Sequence, residues 1–219
     1  MKILIAAATE MEMDYLKKSF SNNKMLQMEY CVTGIGAIST TFHLQKTIIS
    51  AKPDLVIQVG LAGAFSELLP IGKAFAVKKE IVAEMGVFEN EEYKDIFNLG
   101  LEKRDAMPYS DGTLINENES ILECSKLEIA NAITVNEIST SIEKIDLFKN
   151  HYHAAIESME GAALHYVCIM NQIPFIQIRG ISNMVGVRDK RHWEIKKAMQ
   201  AAIEGTQNVL SYMEKTLDR

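Results

Sequence analysis

Cysteine is scarce in this chain: 219 residues carry only Cys31, Cys124 and Cys168, an odd number without metal-like spacing. That argues against a disulfide framework or a thiolate metal site and predicts reduced, mostly buried thiols. Such usage suits a reducing cytoplasm. No apolar run approaches the length of a membrane span. The run from Lys2 to Ala8 resembles the core of a leader segment only briefly, because Glu10 and Glu12 follow at once. A first core strand explains it better. Positive charge is also in deficit. With 23 basic against 29 acidic residues the net charge is −6, which gives no support for gripping a nucleic-acid backbone, a task that needs a basic patch. Internal repeats and low-complexity tracts are missing too. What is left is an ordinary globular composition, long enough for one domain over 1–219 with a full hydrophobic core. A small-molecule site stays open.

Short apolar runs at 3–8, 55–59, 74–77, 129–135, 154–156 and 175–178 read as buried strands. Most lack strict alternation, the pattern of a sheet covered on both faces. Helical patterns lie between them. Residues 10–20 are amphipathic, with Met13, Leu16 and Phe20 on one side. Residues 37–50 follow a Gly-containing turn and stop before Pro53, which disfavours helix at Lys52. Residues 160–170 are apolar on most faces, and 193–217 form a long C-terminal helical pattern with a polar outer face. Strands alternating with helices predict an α/β domain with a largely parallel sheet. The charged stretch 87–118, with Gly100, Pro108 and Gly112, breaks the rhythm and reads as a long excursion of the kind that is often functional.

In such sheets ligands gather beyond the carboxyl ends of the strands, so chemistry is expected in the segments that follow them. Thr9-Glu10-Met11-Glu12 comes directly after the first strand. Acid there fits a helix N-terminus, and equally a carboxylate facing the cleft as general base. Without Lys or Arg the turn makes a poor phosphate cradle. Thr33-Gly34-Ile35-Gly36-Ala37-Ile38-Ser39 resembles a dinucleotide fingerprint, but Ser39 stands at the third glycine's place and Asp54 precedes the next strand rather than ending it. A tight turn bringing backbone close to a small ligand fits better. Gly60-Leu61-Ala62-Gly63 repeats that logic, and either turn could be structural alone.

The segments Glu157-Ser158-Met159-Glu160-Gly161-Ala162-Ala163 and Arg179-Gly180-Ile181-Ser182-Asn183 supply acid, guanidinium, hydroxyl and carboxamide. Glu160 could satisfy a helix end as readily as bind a ligand. A partly buried Arg179 needs an anionic partner, for which Glu12 and Glu160 are the candidates. His151-Tyr152-His153 lacks carboxylate or cysteine ligands in a metal-binding pattern, so loop histidines are expected. His43 and His165, on predicted helices, read as packed or surface side chains.

Ala8-Thr9-Glu10-Met11-Glu12, Thr33-Gly34-Ile35-Gly36, Val59-Gly60-Leu61-Ala62-Gly63, Ser158-Met159-Glu160-Gly161-Ala162 and Arg179-Gly180-Ile181-Ser182-Asn183 stand in the order of the nucleoside phosphorylase/nucleosidase superfamily. The ordered set resembles that superfamily over nearly the whole chain, although each string alone is weak. The strings at 157–163 and 179–190 carry a finer resemblance to its futalosine hydrolase branch. The methylthioadenosine/S-adenosylhomocysteine nucleosidases are similar, but less closely.

The resemblance implies a three-layer α/β/α fold with a central mixed, mostly parallel sheet, and cleavage of a purine–ribose bond by water without metal or redox cofactor. It implies that Glu12 activates the water, helped by Arg179, and that Glu160 holds the ribose hydroxyls with Met159 packed on the sugar. Gly63 and Ser182 are further substrate-binding positions, and Thr134 and Val135 would line the base. Met107-Pro108-Tyr109 would reach the 5′ substituent across a homodimer interface.

Departures from the family pattern sharpen this reading. Phosphorylases of the superfamily bring an arginine to phosphate from their first loop, and the turn 10–12 has none, which favours water as nucleophile. Leu61 stands where adenosine-type relatives have a small hydroxyl residue. Asn183 stands where adenine-cleaving relatives have aspartate. Its carboxamide offers one donor and one acceptor, which match O6 and a protonated N7 of a 6-oxopurine such as hypoxanthine, whereas adenine presents a donor at C6. The competing readings are an adenosine-type nucleosidase, a phosphorylase, and a silent nucleoside-binding module on the same fold. Glu12, Glu160 and Arg179 together speak against the last.

Overall fold

The computed structural model describes residues 1–22, 24–90 and 92–218; Asn23, Glu91 and Arg219, the second within the expected excursion, lie outside them. The first half of the chain runs β1 (Lys2–Ala7), α1 (Glu10–Ser19), β2 (Gln27–Val32), α2 (Ala37–Ala51), β3 (Leu55–Ala64), β4 (Ala74–Val82), β5 (Gly86–Glu89) and β6 (Glu92–Asp95). Then come β7 (Leu114–Ile115), α3 (Glu119–Cys124), β8 (Glu128–Thr134), α4 (Ile142–His151), β9 (Ile156–Ser158), α5 (Gly161–Met170), β10 (Phe175–Met184) and α6 (Ile195–Leu217).

Strand β1 shows why three layers form. Successive side chains of a strand point to opposite faces, and in β1 both faces are apolar. Ile3, Ile5 and Ala7 join Leu55, Ile57, Ile176 and Ile178 in one core, closed by Met13 and Leu16 of α1, Ile121 and Leu122 of α3, and Met199, Ala202 and Leu210 of α6. Leu4 and Ala6 join Val56 and Phe175 in a second core, closed by Leu44 and Ile48 of α2 and Leu164 and Val167 of α5. Helices therefore cover both faces, as the unbroken apolar runs predict. Cys31 and Cys168 are buried and Cys124 half-buried, all as free thiols.

The sheet is mixed and largely parallel. β1 pairs in parallel with β2 and β3, β3 with β10, β4 with β8, and β8 with β9. β10 meets β4, and β3 meets β9, in antiparallel fashion. These pairings close β3, β10, β4, β8 and β9 into a ring, with β1 and β2 as a wing beyond it. A ring of few strands has little room inside. The core drawn from all five strands is accordingly rich in alanine: Ala62, Ala64, Ala130 and Ala132 beside Phe75, Val77, Ile156 and Ile181.

The predicted strands at 55–59 and 175–178 continue to Ala64 and Met184. Those glycine-bearing and polar extensions pair with each other, Arg179 opposite Gly60 and Asn183 opposite Gly63, and the register slips between Ile181 and Asn183. A bulge of this kind re-aims side chains, and here it sits at Ser182. The excursion at 87–118 contains most of the β5–β6 hairpin and the short β7. β2, α3 and α4 are additions to the sequence reading.

Candidate active site

Glu12 does two jobs at once. Thr9 caps α1 by accepting the Glu12 N–H on its hydroxyl at 3.2 Å, while Glu12 Oε2 accepts the Thr9 N–H at 3.0 Å and the Thr9 hydroxyl at 2.7 Å. This is a reciprocal capping box. Its other oxygen, Oε1, accepts the Leu61 N–H from β3 at 3.2 Å. Glu12 is thus buried at the helix start and also lines the cleft.

Gly60 makes room for this arrangement. A Cβ there would lie 2.6 Å from Arg179 Nη1 and 3.3 Å from Glu12 Oε1. The glycine therefore serves close packing of the guanidinium. Arg179 is almost wholly buried and donates from Nη1 to Glu160 Oε2 at 3.3 Å and to the Leu61 carbonyl at 3.3 Å. Its Nη2 donates to Gln58 Oε1 at 2.9 Å. Of the two candidate anions for Arg179, Glu160 is the one paired.

Glu160 stands at the N-cap of α5, yet its side chain makes no cap hydrogen bond. Its Oε2 takes Arg179, and its Oε1 accepts the Gly36 N–H at 3.1 Å. The helix-end explanation of this acid is therefore set aside. Gly34 and Gly36 hold φ of +77° and +87°, a region open chiefly to glycine. The turn they form presents a backbone donor to Glu160 and brings Ile35 to the cleft.

The helix α5 is held at its start by a different group. Thr134 accepts the Ala162 N–H on its hydroxyl at 2.8 Å and donates to Glu80 Oε1 at 2.9 Å. Burial pushes the fully enclosed Glu80 carboxyl up to about 7. The side chains of Thr134 and Val135, the two positions expected to line a base, are engaged elsewhere. The Thr134 hydroxyl is committed to Glu80 and α5, and Val135 packs in a core with Phe65, Ile133 and Phe148.

Ser182 and Asn183 occupy the bulge of β10. The Ser182 hydroxyl donates to Asn183 Oδ1 at 2.7 Å, and Asn183 Nδ2 donates to the Met184 carbonyl at 2.8 Å. Those two contacts orient the carboxamide. One N–H and one lone pair remain free of them, since the amide has two hydrogens and two lone pairs.

Glu12, Glu160, Gly63, Met159, Ser182 and Asn183 all border one cleft of about 250 Å³. Arg179 lies behind it, against Glu160. The structure adds wall residues that the sequence reading did not single out: Ile35, Ile138, Val185, Val187, Arg188 and Trp193. Ile138 follows the carboxyl end of β8, so the same strand-end rule could have found it. The loop carrying it is tied down by Glu157, whose Oε1 accepts the Ser139 N–H at 3.1 Å and whose carboxyl burial pushes upward in pKa.

Met107 and Tyr109 do not border this cleft. Tyr109 lines a separate cavity of about 370 Å³ with Asp95, Phe97 and Arg104, while the Met107 side chain is 67% exposed. His165 is fully buried; it packs edge-on against Phe175, places Nδ1 3.2 Å from the Leu114 carbonyl, and is lowered by burial to a pKa of about 3. It is a packed core histidine.

A family model described as the phosphorylase superfamily matches residues 22–215. A futalosine hydrolase of Thermus thermophilus is 28% identical over 185 residues, spanning 83% of this chain and 80% of that protein. A 5′-methylthioadenosine/S-adenosylhomocysteine nucleosidase of Buchnera aphidicola is 27% identical over 220 residues, 89% of this chain and 88% of that protein. The solved structure of a futalosine hydrolase mutant of Helicobacter pylori has a TM-score of 0.82 to this fold at 15% identity, covering 96% of this chain and 99% of that one. That likeness speaks for the fold. With most of its length matched by the family model, the chain belongs to the phosphorylase superfamily.

Proposed function

We propose that the chain is a purine nucleosidase that cuts the C1′–N9 bond with water. Futalosine is the preferred substrate, yielding hypoxanthine and dehypoxanthine futalosine in menaquinone biosynthesis. The chain acts as one cytoplasmic domain over 1–219 and needs no metal or redox cofactor. The observation that carries this reading is the meeting of Glu12, Glu160 and Asn183 around one cleft whose first loop brings no basic residue. Similarity to a futalosine hydrolase over 83% of the chain supports it independently.

The chemistry follows from the geometry. As the C1′–N9 bond breaks, its electron pair passes to the purine and positive charge grows on the ribosyl ring. Glu160, fixed by Gly36 N–H and Arg179, accepts the ribose hydroxyls and stabilises that charge. Arg179 acts here by positioning Glu160. Glu12 takes the proton of a water whose oxygen bonds to C1′. The purine takes a proton at N7 from solvent. Asn183 Oδ1 accepts that N7–H while Nδ2 donates to O6.

A second reading, an adenosine-type nucleosidase, is favoured by the similarity to a 5′-methylthioadenosine/S-adenosylhomocysteine nucleosidase over 89% of the chain. Turnover of inosine, futalosine and methylthioadenosine, with and without phosphate, separates the readings. Futalosine should be consumed, and free sugar should be the product even in excess phosphate. A sugar 1-phosphate as main product would make the chain a phosphorylase. Cleavage of none of the three would leave a binding module.

The active unit is a homodimer in this reading. Ile38, Phe42 and Ile49 of α2 are 85%, 61% and 65% exposed and form one apolar surface. Patches of this kind commonly mark contact sites. Tyr109 packs edge-on against Tyr166 of α5, so the excursion carrying Met107 adjoins the α2–α5 layer. Light scattering at assay concentration should give twice the monomer mass; a fully active monomer would rule the dimer out.

A further inference from the structure

Arg188 borders the cleft and has no task in the scheme above. It lies five residues beyond Asn183, on the loop that leaves β10. Gly186 turns that loop with φ of +89°, and Val185, Val187 and Arg188 all border the same cleft as Asn183. The Arg188 guanidinium lies over the Trp193 ring, 5.5 Å from its centroid. The ring is itself anchored, since its indole N–H donates to the Val187 carbonyl at 3.0 Å. Stacking on an anchored ring pre-arranges a side chain that is otherwise costly to order.

The adjacent acid does not neutralise this cation. Asp189 is held by Arg191, with contacts of 2.6 and 3.0 Å, and lies 3.7 Å from His192. Among the described residues Arg188 makes no ion pair, in contrast to Arg104, Arg179 and Arg191. A stacked, unpaired guanidinium bordering a substrate cleft is a donor waiting for an acceptor.

We propose that Arg188 is a specificity residue that donates to O6 of a 6-oxopurine as the base departs. The proposal rests on the purine lying at the Asn183 end of the cleft. When the C1′–N9 bond breaks, the electron pair spreads through the purine and reaches O6. The Asn183 carboxamide can offer O6 one neutral N–H, while its oxygen serves N7. A guanidinium at O6 adds a charged donor at the atom where negative charge develops, so it acts more strongly in the transition state than in the ground state. A 6-aminopurine turns an amino donor toward the same guanidinium and leaves it unsatisfied. Arg188 and Asn183 therefore select the same base by different means, one by charge and one by donor–acceptor order.

Futalosine and its 6-amino analogue test this cleanly, because they differ at position 6 and share the 5′ group. In Arg188→Met the stem remains and the donor is lost. The ratio of kcat/KM for futalosine over the analogue should fall about tenfold or more, the scale of a hydrogen bond to a charged group. The fall should lie mainly in kcat, with Arg188→Lys intermediate. Hypoxanthine should bind the Met variant more weakly, with adenine binding changed far less, a readout that needs no turnover. Equal losses on both nucleosides would mean that Arg188 grips the 5′ group, and would overturn the proposal. An unchanged ratio in an enzyme whose wild type prefers futalosine would overturn the assignment of Arg188 alone. A wild type that prefers the 6-amino analogue would overturn the base reading and this proposal together.

Discussion

Glu12→Gln should lower kcat by about 100-fold or more while nucleoside binding persists, the range expected when a positioned general base is removed. The substitution keeps the shape of the side chain, but its amide has one acceptor end where the carboxylate has two. Oriented with its oxygen toward Thr9, it keeps the two hydrogen bonds that the side chain accepts from Thr9 and sets its NH₂ against the Leu61 N–H. One donor would then face another, at a cost of about 1 kcal/mol or somewhat more. A small drop in melting temperature should therefore accompany the loss of rate. The two effects are separable: the melt reports the cap, and single-turnover cleavage reports the base. Near-normal turnover in a folded Gln variant would remove Glu12 from the chemistry and leave it as a helix cap.

Wild-type protein should cleave futalosine at a kcat/KM about 1000-fold or more above that for its 6-amino analogue, because a mismatch at a site built for hydrogen bonds leaves buried polar groups unpaired. Asn183→Asp should reduce the futalosine rate and narrow the gap. The local geometry gives the reason. Nδ2 already donates to the Met184 carbonyl, and Oδ1 accepts from Ser182. An ionised aspartate would set an oxygen against the Met184 carbonyl and offer nothing to O6. A protonated one has a single O–H to divide between Met184 and the base. The donor to O6 is lost in the first state, and in the second it is available only at the expense of the Met184 carbonyl. Activity on the 6-amino analogue should rise only modestly, since Leu61, Val185 and Arg188 still shape the wall. The decisive measurement is kcat/KM for the two nucleosides on both proteins. A wild type that prefers adenine would make the adenosine-type nucleosidase the correct reading.

The two selectivity devices also predict how they combine. Asn183 and Arg188 would act on the same atom of the base, and residues that share a partner are generally not additive. The double variant should therefore lose less selectivity than the product of the single losses.

Much of the framework is written locally in the sequence. The apolar runs of β1 and β3 and the amphipathic pattern of α1 each contain enough hydrophobic residues to specify their own burial, and the structure places them as periodicity predicts. The chemistry-bearing strings were findable for a related reason. They follow apolar strands, where side chains stop being needed for the core and polar groups can gather. Other elements lack such a local signal. In β2 exposed and half-buried residues predominate, as befits an edge, and α3 is too short for its period to stand out.

What only the tertiary structure decided is which distant groups share a proton or a charge. Residues 12 and 160 are both candidates for Arg179; Glu12 is taken up by Thr9 and the Leu61 N–H, and Glu160 is the acid that pairs with the guanidinium. Thr134 carries a hydroxyl suited to a ligand, yet the parallel pairing of β8 with β4 lays it beside the buried Glu80, whose carboxyl needs a donor. Arg188 and Trp193 are given no task by the sequence pattern, and the turn at Gly186 lies between β10 and the stretch that brings them to the cleft. Periodicity records how strongly each residue avoids water. The partner of a polar group depends instead on strand register and ring closure, which arise from many weak contacts spread along the chain, and no single segment encodes them.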